Sequence, residues 1–223
     1  TEEINDHIRG AGSFTRIVAG RQAAIAAGLK PTLTTTIVRH NVQALAGVVR
    51  LAASLGVRNV HLLWPHRRGR VLHGPFADLP SAEDILLAVR AARTVATELG
   101  VTIDNLEEFR LRMDGTPGVK NDLAGAGWNS LCLYTDGSIY PSASMAGVPE
   151  LRCGDLAHQT LERIWKEGAI CRELREATVE RKPICRTCPL KFLCGGGDVE
   201  HGYWASIAQE GNGKKGSFVA HDP

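Results

Sequence analysis

The sequence lacks any apolar run long enough to cross a membrane, because Arg, Gly or Pro interrupts each of the longer ones. It also lacks a charge excess, since the formal net charge is +2, and we therefore expect neither nucleic acid nor a membrane surface as a partner. The chain opens Thr1-Glu2-Glu3, without a start methionine or a leader. We expect a cytoplasmic protein whose chain begins inside a longer gene product.

Cysteine is absent from the first 131 residues and occurs six times afterwards. The six are Cys132, Cys153, Cys171, Cys185, Cys188 and Cys194. Secreted disulfide-rich proteins are usually smaller than this 223-residue chain and carry a leader. Clustered cysteines in a cytoplasmic chain instead indicate metal or redox chemistry.

Helical and β-branched segments alternate in the first part of the chain. The pattern predicts helices over 13–29, 41–55 and 82–99, and strands over 31–38, 57–64 and 101–103. This order predicts a parallel sheet. A complete eight-unit barrel needs roughly 250 residues, so about three units form only part of one. The fold class is therefore α/β, with a partial parallel (β/α) barrel over 1–110.

The pattern changes after about residue 110, where glycine and proline become frequent. Asp136-Gly137 lies between two β-rich runs and predicts a hairpin. A short amphipathic helix is predicted over 160–166, followed by cysteine-rich loop and short helix. We expect residues 111–223 to form a small irregular α+β domain.

The sharpest motif is Cys185-Arg-Thr-Cys188, followed by Cys194 and three glycines. Two cysteines separated by two residues can face one metal centre, and glycines let the backbone bend around a bulky inorganic cluster. Cys132 and Cys153 are candidate ligands of the same or a second cluster. The spacing favours an iron–sulfur site over the alternatives, which are structural zinc and disulfides.

The run Cys132…Cys153…CxxCxxxxxCGGG, with the hairpin signature C-x-x-x-D-G-x-I-x-P over 132–141, resembles the SPASM domain. This domain is the C-terminal extension of many radical S-adenosylmethionine (SAM) enzymes that modify peptides. The segments EINDHIRGAGSF (3–14) and TTTIVRHN (34–41) resemble the second half of a radical SAM barrel, the latter as its fifth strand. The resemblance covers essentially the whole chain and implies auxiliary [4Fe–4S] clusters, SAM and a peptide or protein substrate.

The resemblance also implies site residues. The metal ligands would be Cys132, Cys153, Cys185, Cys188, Cys194 and Asp198, the last standing where the family often has cysteine. Arg39 and Asn41 follow a strand end and would contact SAM, the alternative being ordinary helix capping. The chain departs from the family in having no CxxxCxxC, the motif that holds the SAM-cleaving cluster, and no ligand cysteine after Cys194.

Five further features have plainer expected roles. His61 is expected to be a satisfied histidine within a strand, and Cys171 a thiol packed as a small hydrophobe. The HRRGR run at 66–70 is either a solvated loop or a binder of carboxylates, and His201 lies near Cys194 but off the family's ligand positions. Asp104, Glu107 and Glu108 form an acidic group that we expect to be solvated.

We therefore expect the C-terminal portion of a radical SAM/SPASM enzyme, a peptide- or protein-modifying maturase that acts by hydrogen abstraction. The chain alone lacks the motif that starts this chemistry. The alternatives are a non-catalytic iron–sulfur electron-transfer module and a structural zinc module. The substrate, the bond formed and the oligomeric state stay open from sequence.

Overall fold

The computed structural model describes residues 1–65, 71, 79–106, 125–210 and 215–220. The described residues before 107 and those after 124 belong to two compact units, each with its own sheet and its own core. One sheet is parallel and the other antiparallel, which confirms the α/β class. Within the described ranges, no helix combines the length and apolarity that a membrane span requires.

The first unit is built on the parallel sheet. Its elements are α1 (Glu2–Arg9), α2 (Ser13–Ala26), β1 (Thr32–Thr36), α3 (Leu45–Ser54), β2 (Asn59–Leu63), α4 (Ala82–Leu99) and β3 (Thr102–Ile103). The strands lie in the order β1-β2-β3, with Thr34 opposite His61. Helices and strands alternate from β1 onward, as predicted, although α3 starts late because a 3₁₀ turn occupies Val42–Ala44.

The longest helix, α4, illustrates how local sequence directs this unit. Ser81 accepts from the Asp84 backbone N–H, and the Asp84 carboxylate binds back to Ser81, which forms a capping box. Buried residues recur along one side of the helix, from Ala88 to Ala96, and this side packs against the core. Gly100 then ends the helix in the left-handed conformation with φ 62°.

The second unit combines short strands with short helices. Its elements are β4 (Cys132–Leu133), β5 (Ser138–Tyr140), β6 (Gly154–Asp155), α5 (Leu161–Glu167), α6 (Ala169–Glu176), α7 (Lys191–Cys194) and α8 (Val199–Glu210). The strands form an antiparallel sheet in the order β4-β5-β6. The predicted hairpin joins β4 to β5, and Asp136 Oδ1 accepts from the Ser138 N–H at 2.9 Å in its turn.

Helix α8, like α1, was not predicted from the sequence pattern. Residues on several of its sides are buried, among them Val199, Tyr203 and Ala205. A helix buried on several sides has no apolar stripe, so periodicity does not reveal it. Tyr203 is fully buried and lies with its ring centre 5.1 Å from that of Phe218 in the core of this unit.

Candidate metal centre

The three cysteines of the CxxCxxxxxC motif lie on consecutive tight turns. A 3₁₀ turn over Cys185–Thr187 is closed by the Cys188 N–H, which donates to the Cys185 carbonyl at 2.9 Å. Cys194 is the last residue of α7. All three side chains are partly exposed, and none of them is joined in a disulfide.

The glycine turn at 195–197 closes this motif. Its three residues have φ values of 70°, 84° and 81°, which side-chain-bearing residues rarely adopt. A Cβ added at Gly196 would lie 2.9 Å from Cδ of Lys182. The turn therefore requires glycine both for its backbone conformation and for the space that the lysine occupies.

Lys182 anchors the glycine turn to the segment that precedes Cys185. Its side chain is fully buried, and Nζ donates to the Gly196 carbonyl at 2.7 Å. A buried ammonium group is costly unless its hydrogen-bonding partners are fixed. This lysine has no sequence signature of its own, because a lysine before a CxxC motif forms no recognisable pattern.

Asp198 begins helix α8. Its Oδ1 accepts from the backbone N–H groups of Glu200 at 2.7 Å and His201 at 3.4 Å, which is the geometry of an N-cap. Glu200 is itself buried and accepts a hydrogen bond from Ser144. A carboxylate has two oxygen atoms, so helix capping and metal ligation are compatible roles.

Cys132 and Cys153 lie on opposite sides of strand β5. Cys132 is partly exposed and pairs with Tyr140, whereas Cys153 is buried and donates its backbone N–H to Ile139 at 2.7 Å. The central strand thus fixes the backbone of both residues.

Cys171 lies next to Cys153 in the core. It is fully buried on α6, as expected for a small hydrophobe, but its thiol is hydrogen-bonded to that of Cys153. This bond lowers the pKa of Cys171 to about 7 against the effect of burial, and the positive charge of Arg175 acts in the same direction. The same bond, together with burial, raises the pKa of Cys153.

The donor chemistry of this unit fits an iron–sulfur cluster, because thiolates are the soft ligands that such clusters prefer. Across the residues that the structure describes, no three His, Cys, Asp or Glu side chains converge closely enough for a single metal ion. A [4Fe–4S] cluster binds its four thiolates through different iron atoms, so its ligands need not converge on one point.

In the first unit, Arg39 and Asn41 follow strand β1. Asn41 Oδ1 accepts from the Val38 N–H at 2.9 Å, and its Nδ2 donates to the Thr36 carbonyl at 2.8 Å. Arg39 Nη2 donates to the Leu79 carbonyl at 2.8 Å. Both residues thus bind the backbone around the strand's carboxyl end, where (β/α) proteins place their ligand sites.

His61 has a carboxylate partner on the half-buried side of β2. Its Nδ1 lies 2.6 Å from Asp104 Oδ1, and Asn59 donates to Asp104 Oδ2 at 2.8 Å. Partial burial raises the pKa of Asp104, but the hydrogen bonds from Asn59 and His61 outweigh it, so the pKa is lowered overall. Asp104 is therefore hydrogen-bonded to two side chains of β2. The other members of the acidic group, Glu107 and Glu108, and the HRRGR run lie outside the described residues.

Residues 125–189 match the SPASM family, described as an iron–sulfur cluster-binding domain. The PqqA peptide cyclase of Ruegeria pomeroyi is 27% identical over 191 residues, which cover 84% of this chain and 50% of that protein. The PqqA peptide cyclases of Xanthomonas campestris pv. campestris (strain 8004) and Methylocella silvestris are each 26% identical over 196 residues, 86% of this chain. These matches cover 50% and 51% of the two proteins, so the chain spans about half the length of the curated relatives it matches.

Proposed function

We propose that this chain, which belongs over residues 125–189 to the SPASM family of iron–sulfur cluster-binding domains, is the C-terminal portion of a radical SAM enzyme that modifies a peptide or protein. One observation carries the proposal. A parallel α/β unit precedes the cysteine-bearing unit, and 84% of the chain aligns with half of a PqqA peptide cyclase.

The second unit would hold the auxiliary clusters. Cys185, Cys188 and Cys194 would bind one cluster, and Cys132 and Cys153 another, together with Asp198. Such clusters, when bound, accept an electron or bind the substrate. Lys182 would keep the glycine turn against the three thiolates of the first site, and its buried positive charge would offset part of their negative charge.

The first unit would supply part of the SAM pocket. Residues 1–110 would be the second half of the barrel, and residues 111–223 the auxiliary domain. Arg39 and Asn41, held at the end of β1, would position the loop that contacts SAM. In the intact enzyme, bound SAM and its own cluster would supply the radical that abstracts hydrogen from the substrate.

The substrate class follows from the relatives. They are named for acting on the peptide PqqA, and we infer a peptide or protein substrate for the intact protein here as well. We place the enzyme in the cytoplasm, where thiolate-bound clusters are kept from disulfide formation.

Metal analysis after anaerobic reconstitution with iron and sulfide tests the proposal. The chain should then contain iron and acid-labile sulfide and show a broad absorbance at the edge of the visible range. Exchange of the cysteines of both proposed sites for serine should abolish both signals. Stoichiometric zinc without sulfide would instead support the structural zinc module and contradict the proposal.

A further inference from the structure

One face of the parallel sheet carries a row of hydrogen-bonded polar side chains. Val60 and Leu62 of β2 pack on the core, so the alternating residues Asn59 and His61 lie on the other face. Asn59 Nδ2 donates to Asp104 Oδ2 at 2.8 Å, and Asp104 Oδ1 lies 2.6 Å from His61 Nδ1. The row therefore ends at the imidazole of His61, which no role described above uses.

The carboxylate of Asp104 is held in place on both sides. Asn59 also donates to Thr32 Oγ1 on β1 at 3.0 Å, which fixes the amide that binds the carboxylate. The next residue, Asn105, accepts from the Leu62 N–H at 3.3 Å and donates to the Leu62 carbonyl at 2.7 Å. These two bonds continue the pairing of β3 with β2 past the end of β3 and keep Asp104 beside His61.

This arrangement determines which nitrogen of His61 is available. An ionised carboxylate only accepts hydrogen bonds, so the proton of the neutral imidazole lies on Nδ1, and Nε2 is left as an acceptor. Nε2 has no hydrogen-bond partner among the described residues, and it is not one of their buried unsatisfied atoms. The side chains of His61 and Asp104 are 35% and 39% exposed, so a ligand can approach the pair.

The pair is suited to accepting a proton. A carboxylate behind an imidazole orients the ring, strengthens Nε2 as an acceptor and stabilises the imidazolium that forms when Nε2 binds a proton. Asp104 directly follows β3, at the carboxyl end of the strand, where (β/α) proteins place their ligand sites.

We propose that the first unit contains a proton-accepting site at His61, in which Asp104 is the positioning residue and Nε2 takes a proton from a hydroxyl or ammonium group of a bound ligand. The O–H or N–H bond of the ligand breaks, its electron pair stays on the ligand atom, and the proton binds Nε2. This site goes beyond the function proposed above and does not depend on cluster binding, so the failure of one leaves the other standing.

The tautomer of His61 gives the first test, which needs no substitution. Long-range proton–nitrogen correlation spectra of the nitrogen-15-labelled chain, recorded in weakly alkaline buffer, distinguish a protonated from an unprotonated ring nitrogen. His61 should have a protonated Nδ1 and an unprotonated Nε2. The opposite tautomer would overturn the proposal, because Nε2 would then be a donor.

Acylation by diethyl pyrocarbonate, which attacks an unprotonated imidazole nitrogen, gives the second test. The rate at His61 is followed by peptide mass spectrometry in the same buffer, with the exposed His158 of the second unit as internal reference. Asp104→Asn keeps the size of the side chain but removes its charge, and it should slow acylation of His61 several-fold relative to His158. Glu98→Gln, at an exposed position of α4, controls for general loss of negative charge and should leave both rates unchanged.

Two results of the acylation experiment would contradict the site. If His61 were not acylated in wild type, Nε2 would not be accessible to a ligand. If folded Asp104→Asn protein were acylated at His61 as fast as wild type, Asp104 would only join β3 to β2 and would not strengthen Nε2.

Discussion

The two units stabilise their polar groups in different ways. In the first, candidate site residues are satisfied by neighbouring backbone, as Asn41 is by Thr36 and Val38. In the second, two cysteines and a lysine are buried. A unit that buries groups suited to a metal cluster should depend on that cluster for part of its stability. The first unit, which has no cysteine among residues 1–110, should not.

Cluster removal should therefore affect the units unequally, and this is the largest effect we expect. Hydrogen exchange followed by mass spectrometry, on reconstituted and chelator-treated protein, measures each unit separately. Amides of the segment 182–200 should exchange many-fold faster after cluster loss, whereas those of α3 and β2 should not change. Equal acceleration in both units would contradict the comparison.

Lys182→Met tests the buried cation. Methionine keeps the length of the side chain but removes the hydrogen bond to the Gly196 carbonyl. Loss of a buried bond from a charged donor should lower the free energy of unfolding by about 1.5–3 kcal/mol. Chemical denaturation measures the change.

Lys166→Met is the control for Lys182→Met, because the Lys166 side chain is 67% exposed and pairs with Glu162 on the same helix face. An exposed pair of this kind contributes about 0.3–0.5 kcal/mol. If both substitutions had the same small effect, Lys182 would not anchor the glycine turn.

Substitutions at Asp198 can separate its role as a helix cap from its proposed role as a metal ligand. Asp198→Ala removes the N-cap and should cost about 1 kcal/mol of stability in cluster-free protein, whereas Asp198→Asn keeps a capping oxygen and should cost less. If Asp198 also binds iron, both variants should change the electron paramagnetic resonance signal of one cluster and spare the other. A wild-type signal in Asp198→Asn would leave the residue as a helix cap only.

Local sequence chemistry predicted the elements whose signals lie within a few residues. The helix predicted over 82–99 forms as α4, which starts at the Ser81–Asp84 capping box, and the hairpin predicted at Asp136-Gly137 is present. The hydrogen bonds of the buried side chains could not be predicted from sequence. Lys182 binds Gly196, 14 residues away, and Arg175 binds Gly127, 48 residues away. Such contacts leave no periodic pattern. The expected cysteine ligands came from the resemblance to a family, because the cysteine spacing alone also permits a zinc site.

The smallest effect concerns Asp6, which joins α1 to α2 in the unit without cysteine. Hydrogen bonds from the Phe14 and Gly12 backbone and from Asn5 and Ser13 hold its pKa at about 2, below the ordinary 3.8. Because the folded pKa is lowered, the carboxylate stabilises this junction above pH 4, and the contribution is lost as the pH falls toward 2.

Asp6→Asn should therefore weaken amide protection at Gly12 and Phe14 near neutral pH, and its difference from wild type should shrink between pH 4 and 2. Exchange rates from nuclear magnetic resonance measure both amides directly. Glu3→Gln, on the same helix, controls for the general loss of an acidic side chain. A difference that stayed constant down to pH 2 would mean that the Asp6 charge does not hold the junction, because neutralising it in wild type would then have no effect.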